Sequence, residues 1–397
     1  MEHARAENPS IFFYVRPCVL AFALAFTFAN TACLEFQANP LDKSNGGLIG
    51  NLLISQAIAT SGGDGGTTTS TQIRFVILGD GGKGFTSLDG STWTELDAAG
   101  NTNIVFKKVI WTGTRWVAAG EDTSATAPAI YYSSDGESWT AASMPSPCGA
   151  ATRTLNDLVL GGTTLMAVGQ SDTLVPCVLT SADDGSTWAQ TPSTAGGTPY
   201  SHVAYDGTNF YVSQPSAASA APQIQASNGT APFAATGTRP NITGGLGGSS
   251  TGELFGNGAN LIFVGLDSNS SLADSSHSTS LGATWTADAT AIFDSAAGLA
   301  PRALAVNGSR IVAVGDGCRV DYSDDNALNW NFNGALPACS GVAFADVVHD
   351  ATTSTFIAAG VKSAQGEIWT STDNGLTWSA LQSGLTHTTP RTIAVRP

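Results

Sequence analysis

A short box recurs along the chain, and its spacing constrains the fold more than any other feature. Each box places a serine, an acidic or polar residue and a tryptophan within about eight positions, and most boxes add a glycine, as in "SADDGSTW" (Ser181 to Trp188). The clear boxes end at Trp93, Trp139, Trp188, Trp285, Trp330 and Trp378. A decayed copy, "SNGTAPF", lies in the wide gap between the third and fourth boxes. With that copy the period is roughly 47 residues, which indicates an array of similar supersecondary units.

A second pattern precedes each box. Two short runs rich in apolar residues flank a tight turn that contains glycine or asparagine, as in "IWTGTRWVAAG" (Ile110 to Gly120) and "AVNGSRIVAVG" (Ala305 to Gly315). Such a pattern predicts a β-hairpin, and the box predicts a second hairpin after it. Each unit therefore has four strands. Seven such units predict an all-β, seven-bladed β-propeller.

The two ends of the array complement each other. "IRFVILG" (Ile73 to Gly79) matches the second strand of a unit and has no first strand before it. "PRTIAV" (Pro390 to Val395) matches "PRALAV" (Pro301 to Val306), which is the first strand of a unit. We therefore expect the C-terminal strand to complete blade 1 and close the ring, which would remove the exposed edges of an open array.

The N-terminal residues predict export. Arg16 precedes the apolar run from Cys18 to Ala29, which is too short to span a bilayer and is followed by small residues and Cys33. This segment resembles a bacterial lipoprotein signal, in the relaxed form of spirochaetal lipoproteins. The resemblance implies a signal peptide over residues 1–32, a lipidated Cys33 in the outer membrane or cell envelope, a Gly/Ser/Thr-rich tether over residues 33–71 and a propeller over residues 72–397. The alternative is ordinary secretion with Cys33 as a plain thiol.

Charge and composition exclude several classes of partner. The formal net charge is -15 and the pI is about 4.5, so the field of the protein repels nucleic acid. The sequence contains no P-loop, no dinucleotide-binding glycine motif and no HExxH zinc motif. We therefore expect no nucleic-acid partner, no cofactor, no metal site and contact with a membrane only through the lipid anchor. We also expect a monomer.

The boxes resemble the Asp-box (BNR-like) repeat of sialidase-superfamily propellers, and they are similar also to those of photosystem II assembly-factor propellers. The resemblance covers residues 73–397 and implies that the boxes clasp hairpins at the outer rim, away from the central cleft. Hydroxyl and carboxylate groups suit that role because they bond turn backbone, and the tryptophan ring can be buried beside them. The acidic residues of this structural set are Asp89, Asp135, Asp183, Asp325 and Asp373.

The first strands of the units predict a ligand site, because these strands line the axis of a propeller. Arg302 and Arg391 occupy matching positions just before such strands, and Arg153 lies near the equivalent point. The predicted ligand-binding residues of the central funnel are Lys107, Arg153, His202, Glu253, Arg302 and Arg391. These cations would hold a carboxylate or sulfate group. The alternative is that the arginines pair with acidic loops.

Three functions stay open. The first is a non-enzymatic binding or adhesion module for a protein or glycan, and the second is an assembly factor for an envelope complex. The third, implied by the sialidase resemblance, is a divergent glycoside hydrolase, which would need an arginine cluster, a Tyr/Glu nucleophile pair and an acidic proton donor. The Arg-Ile-Pro motif of sialidases is missing, and Arg74 lies in an apparent strand. We therefore assign no catalytic residue.

Four cysteines follow Cys33 in the mature chain, and four cysteines allow three pairings. In the propeller frame, Cys148 and Cys177 lie in loops on one face of blade 3, and Cys318 and Cys339 lie in loops of blade 6. We expect the disulfides Cys148–Cys177 and Cys318–Cys339, which fit an exported protein.

Overall fold

The computed structural model describes residues 72–144, 154–170, 175–191, 198–215, 223–230, 232–240, 252–258, 260–266, 272–287, 289–295, 298–336 and 339–397. The predicted signal peptide, Cys33 and the tether lie outside the described residues, and so do Cys148 and Arg153. Within the described part of the chain, no helix has the length and apolar character needed to cross a bilayer.

The described residues form four-stranded antiparallel sheets, each of which is one blade. The strands of blades 1 to 4 are β1 (Phe75–Gly79), β2 (Lys83–Ser87), β3 (Thr94–Asp97); β4 (Ile104–Trp111), β5 (Trp116–Asp122), β6 (Ala127–Ser133), β7 (Thr140–Ala141); β8 (Thr154–Gly161), β9 (Thr164–Gln170), β10 (Pro176–Ser181), β11 (Ala189–Gln190); β12 (His202–Tyr205), β13 (Phe210–Gln214), β14 (Gln223–Ser227) and β15 (Ala234–Ala235).

The strands of blades 5 to 7, followed by the last strand of the chain, are β16 (Gly252–Asn257), β17 (Asn260–Leu266), β18 (Ala273–Ser278), β19 (Thr286–Ala287); β20 (Pro301–Asn307), β21 (Arg310–Gly315), β22 (Arg319–Ser323), β23 (Asn331–Ala335); β24 (Ala343–Asp350), β25 (Thr355–Lys362), β26 (Gln365–Ser371), β27 (Ser379–Leu385); and β28 (Pro390–Val395). Two short 3₁₀ turns cover Ile292–Ser295 and Asp316–Cys318. The prediction of a seven-bladed propeller is confirmed.

The last strand closes the ring. β28 pairs antiparallel with β1, with Phe75 opposite Val395 and Ile77 opposite Ile393, so blade 1 has the strand order β28-β1-β2-β3. The inner strands β28, β4, β8, β12, β16, β20 and β24 contact one another in a closed circle. The predicted closure by the C-terminal strand is therefore confirmed.

The apolar core lies between the blades. The described residues form seven buried apolar clusters, and each cluster joins the facing sheets of two neighbouring blades. Phe106 of blade 2, for example, is fully buried in the cluster that also contains Val76 of blade 1. Because both faces of every sheet are buried, the strands carry apolar runs on both sides, as in Val117, Ala118 and Ala119. Each blade therefore depends on both of its neighbours.

The repeated box clasps the hairpin between the third and fourth strands of a blade. In blade 3 the Ser181 hydroxyl donates to Asp183 Oδ1 at 2.8 Å, and Thr187 N–H donates to the same oxygen at 2.9 Å. The Trp188 Nε1–H donates to the Gly185 carbonyl at 2.9 Å, with the ring only 4% exposed. The hydrogen bonds from Thr187 lower the pKa of Asp183 to about 2. This carboxylate therefore stays ionised and stabilises the turn by accepting its hydrogen bonds.

The clasp varies between blades in a chemically consistent way. Blades 1, 2 and 7 repeat the bonds of blade 3 through Asp89, Asp135 and Asp373. In blade 5 the hydroxyl of Ser280 replaces the carboxylate and accepts Thr284 N–H at 2.9 Å. A side-chain oxygen that accepts turn N–H groups is therefore the common requirement.

A disulfide joins Cys318 to Cys339 in blade 6. Cys177 is also disulfide-bonded and is buried, whereas Cys148, its predicted partner, lies outside the described residues. The prediction that the protein contains a disulfide is confirmed.

Replacing Trp188 with alanine should lower the free energy of unfolding by about 3–5 kcal/mol, because the change empties a well-packed site between blades 2 and 3. Trp93 provides a matched control, since it ends the box of blade 1 and is only half-buried. We expect Trp93→Ala to cost less, as measured by urea unfolding of both variants. Equal losses in the two variants would contradict the role of burial.

Candidate functional site

The inner strands of all seven blades surround a cavity of about 580 Å³ on the axis of the propeller. One position is equivalent in every blade, and we refer to its seven residues as the channel ring. They are Thr392, Lys108, Asp157, His202, Glu253, Ala303 and Asp346, in the order of blades 1 to 7. Each of them except Thr392 lines the cavity.

A β-bulge brings a second side chain of the inner strand to the cavity. In blade 2 the pairing of β4 with β5 skips Lys107, so Lys107 and Lys108 both line the cavity. The bulge also brings the two backbones together, and a Cβ on Gly120 would lie 1.9 Å from the Val105 carbonyl oxygen. The same register shift occurs in blades 1, 3, 6 and 7. The pairing shows no shift in blades 4 and 5; Gln214 takes the place of the glycine in blade 4, whereas blade 5 keeps Gly265.

The acidic residues of the channel ring bind the backbone of the next blade. Asp157 Oδ2 accepts Val203 N–H at 2.8 Å, which joins blade 3 to blade 4. Asp346 Oδ2 accepts Ile393 N–H at 3.0 Å and so joins blade 7 to the closing strand. Glu253 accepts Leu304 N–H in the same way. These carboxylates therefore lock the circle of inner strands together.

Lys108 reaches two of those carboxylates. Its Nζ lies 3.6 Å from Glu253 Oε1 and 3.8 Å from Asp346 Oδ2, so one ammonium group connects blades 2, 5 and 7. Burial acts to lower the pKa of Lys108, but the charges of Asp346, Glu253 and Asp157 raise it above its ordinary value. Lys108 is therefore a cation at every pH at which the protein would normally be studied.

The other titratable groups of the channel ring respond to burial. Burial raises the pKa of Glu253 to about 7, although the charge of Lys108 opposes the rise. Burial also raises the pKa of Asp157, again against Lys108. Burial and the nearby Lys108 lower the pKa of His202 to about 4, so its imidazole is neutral at neutral pH.

The cations nearer the mouth of the channel are each paired with an acidic residue. Lys107 Nζ lies 3.3 Å from Glu121 Oε1, and it also donates to the Thr154 hydroxyl at 2.7 Å. The guanidinium of Arg302 donates to both carboxylate oxygens of Asp316, at 3.1 and 3.0 Å.

Arg391 is bound in the same bidentate manner by Asp80. The arginines at the mouth thus adopt the second of the two arrangements considered from the sequence, in which they pair with acidic loops.

Five of the predicted funnel residues line the cavity, namely Lys107, His202, Glu253, Arg302 and Arg391. The sixth, Arg153, lies outside the described residues. Sequence reasoning missed Lys108, Asp157 and Asp346. A signal was available, because aligning the repeats places these charged residues at the same position as Glu253, within otherwise apolar strands.

The described residues contain no group of three or more His, Cys, Asp or Glu side chains arranged to hold a metal ion. What the described geometry supplies is a polar cavity with a fixed pattern of charges. Its mouth carries ion pairs. Its floor is formed by the carboxylates of Asp157, Glu253 and Asp346 around the ammonium group of Lys108.

The chain is a seven-bladed β-propeller with a charged central channel, and comparison with known proteins finds relatives in fold only. No known protein-family profile matches the sequence. No curated protein sequence matches it either.

Among solved structures, a YCF48 protein bound to D1 peptide is 17% identical, with a TM-score of 0.49 over 70% of this chain and 81% of that one. YCF48 from Cyanidioschyzon merolae is 15% identical, with a TM-score of 0.46 over 70% and 85%. The WD40 repeats of RRP9 are 12% identical, with a TM-score of 0.49 over 80% and 85%.

The shifted pKa of Glu253 predicts a pH dependence of stability. The folded protein binds this proton more tightly than the unfolded chain, so the contribution is fully present below about pH 4.5 and is lost as the pH rises through about 7. We expect the free energy of unfolding to fall between about pH 5 and 8, and to fall less in Glu253→Gln. Urea unfolding of both proteins across this range measures the difference.

Asp321 provides the internal control, since burial raises its pKa to about 6 and it is present in both proteins. Its contribution cancels in the comparison. An identical pH profile for Glu253→Gln and the unaltered protein would contradict the assignment to Glu253.

Proposed function

We propose that this protein is a lipid-anchored β-propeller of the cell envelope that binds a protein ligand at the mouth of its central channel, without catalysing a reaction. The observation that carries the proposal is the cavity, to which the inner strands of all seven blades contribute. Its volume of about 580 Å³ falls within the range of roughly 300–1,000 Å³ that is typical of ligand sites.

The engagement of the polar groups favours binding over catalysis. A sialidase-like hydrolase needs a cluster of arginines to hold the carboxylate of its substrate. In the described part of the channel, Arg302 and Arg391 are each paired with an aspartate. Glu253, the carboxyl group with the most suitable pKa for an acid catalyst, is committed to Leu304 N–H and to Lys108. This arrangement supports a rigid recognition surface.

A protein is the ligand class that we favour. Charged pairs at the rim of an interface steer encounter and set specificity between proteins. The channel mouth presents three such pairs, from blades 1, 2 and 6. The B–C loops, which connect the second strand of a blade to the third, surround the mouth, and the box hairpins lie at the opposite end of the blades.

Anchoring to the envelope is supported by the leader and by the cysteines. Cys33 follows an apolar run that is too short to span a bilayer, and the segment from residue 34 to 71 is rich in Gly, Ser and Thr. The composition of this segment predicts a tether between the anchor and the propeller. The disulfide between Cys318 and Cys339 fits an oxidising compartment.

Site-specific photo-crosslinking in intact cells tests the ligand-binding face. A photoreactive amino acid at Ala364, which lines the cavity, should yield a discrete protein adduct. The same group at Glu137, an exposed residue of the box in blade 2, should yield none because it lies on the opposite face. Equal labelling from both positions, or no adduct from Ala364, would count against the proposal. Hydrolysis of a fluorogenic sialoside that Arg302→Ala abolishes would instead establish the hydrolase.

The anchor is tested in the same cells. With Cys33 intact, the protein should incorporate a clickable fatty acid and sediment with the envelope fraction. Cys33→Ser should remove the label and release the protein into the soluble fraction. Retention of Cys33→Ser in the envelope, without label, would contradict lipid anchoring while leaving the crosslinking result to stand.

A further inference from the structure

We propose that the channel accepts a cationic group of its ligand, an ammonium or guanidinium side chain, in the sector of the channel ring formed by blades 3 to 5. The inference rests on the proposed binding function and specifies the chemistry of the group that enters the channel.

The first argument is the charge balance of the described channel. At the mouth, each cation has its own carboxylate, so the three ion pairs are neutral as units. At the floor, Lys108 is the single cation among the described residues and faces three carboxylates. These three are Asp157, Glu253 and Asp346. Walls of low dielectric constant concentrate such a field, so the floor attracts positive charge.

The second argument is that the channel ring already binds an ammonium group. Lys108 Nζ lies within 4 Å of Glu253 and Asp346, the geometry expected for a cationic ligand. Lys108 therefore shows that the carboxylates of the floor can bind an ammonium group. Lys108 makes its ion-pair contacts in blades 5 and 7, and it acts on Asp157 only at longer range.

Asp157 and His202 define the proposed sector. Within the described part of the chain, no Lys or Arg nitrogen lies within ion-pair distance of Asp157, whose oxygens accept only backbone N–H groups. His202 is the next residue of the channel ring and lines the same cavity. Because burial and Lys108 keep its imidazole neutral, His202 does not supply the missing charge and can accept a hydrogen bond from a ligand.

Other ligand chemistries fit less well. An anion would have to displace Asp316 from Arg302 or Asp80 from Arg391, and both pairs are bidentate. A metal ion would need a cluster of ligands, which the described residues do not provide. A cation needs no such displacement.

The test uses the full-length chain in detergent and two fluorescein-labelled probes, N-acetylated tetralysine amide and tetraglutamate amide. Fluorescence anisotropy at low ionic strength should show binding of tetralysine and none of tetraglutamate. Glu253→Gln should weaken the binding of tetralysine about tenfold, because it removes an attractive charge. Lys108→Gln removes a repulsive charge but also lets the pKa of Glu253 rise, so the binding of tetralysine should be unchanged or stronger. General damage to the fold would instead weaken the binding of tetralysine in both variants.

One control variant and two contrary outcomes make the result decisive. Glu137→Gln removes an exposed acid from the opposite face and should leave the affinity unchanged. An equal loss in that variant would overturn the inference, because tetralysine would then bind the acidic surface in general. Tighter binding of tetraglutamate, or weaker binding of tetralysine in both ring variants, would also overturn it.

The unaltered protein provides a measurement that needs no ring variant to fold. Glu253 is faced by Lys108, Asp157 and Asp346, and burial raises its pKa to about 7. Tetralysine should therefore bind more tightly at about pH 8 than at about pH 6, and an opposite trend would overturn the inference. If tetralysine does not bind while crosslinking from Ala364 persists, the inference fails and the proposed function stands.

Discussion

Everything in this propeller depends on the backbone pairing between β28 and β1. The chain begins its first blade without an inner strand and supplies that strand only at residues 390–395. Ile393 packs in the cluster between blades 7 and 1, and Ala394 packs in the cluster between blades 1 and 2. One strand thus completes two inter-blade interfaces. Without it, two apolar sheet faces would be exposed to water.

The same strand connects the fold to the channel. Thr392 accepts Val109 N–H and donates to Asp346, so a closing strand that ends the chain also joins blade 7 to blade 2 across blade 1. The acidic residues of the channel ring repeat this device between blades 3 and 4 and between blades 5 and 6. The buried charges that define the candidate site are therefore also elements of the closure. Binding of a ligand to these carboxylates would therefore depend on closure of the ring.

The architecture could be predicted from the sequence because its units repeat at a regular spacing. The boxes and the glycines near the ends of the second strands recur in nearly every unit, and each has a local cause that does not depend on distant residues. Gly120, near the end of β5, faces a bulge in its own blade, and Asp183 accepts hydrogen bonds from its own turn. Even the decayed copy in blade 4 forms a four-stranded sheet.

The charges of the channel could be predicted only in part, because the carboxylates that Lys108 contacts come from other blades. Lys107 and Lys108 are adjacent in sequence, but a bulge gives the first to an ion pair at the mouth and the second to the floor. Arg302 and Arg391 occupy matching positions, and their partners, Asp316 and Asp80, also match, since each follows the glycine of the second strand. Periodicity locates the wall of the channel, and tertiary contacts decide which charges remain unbalanced there.

The most direct test of this account is the urea unfolding of a chain that ends at Thr389 and so lacks β28. The account predicts that removal of this strand abolishes the single cooperative transition of the full-length protein, and that a synthetic peptide of residues 390–397 restores it. A truncated chain that unfolds in one transition with an unchanged midpoint would contradict it.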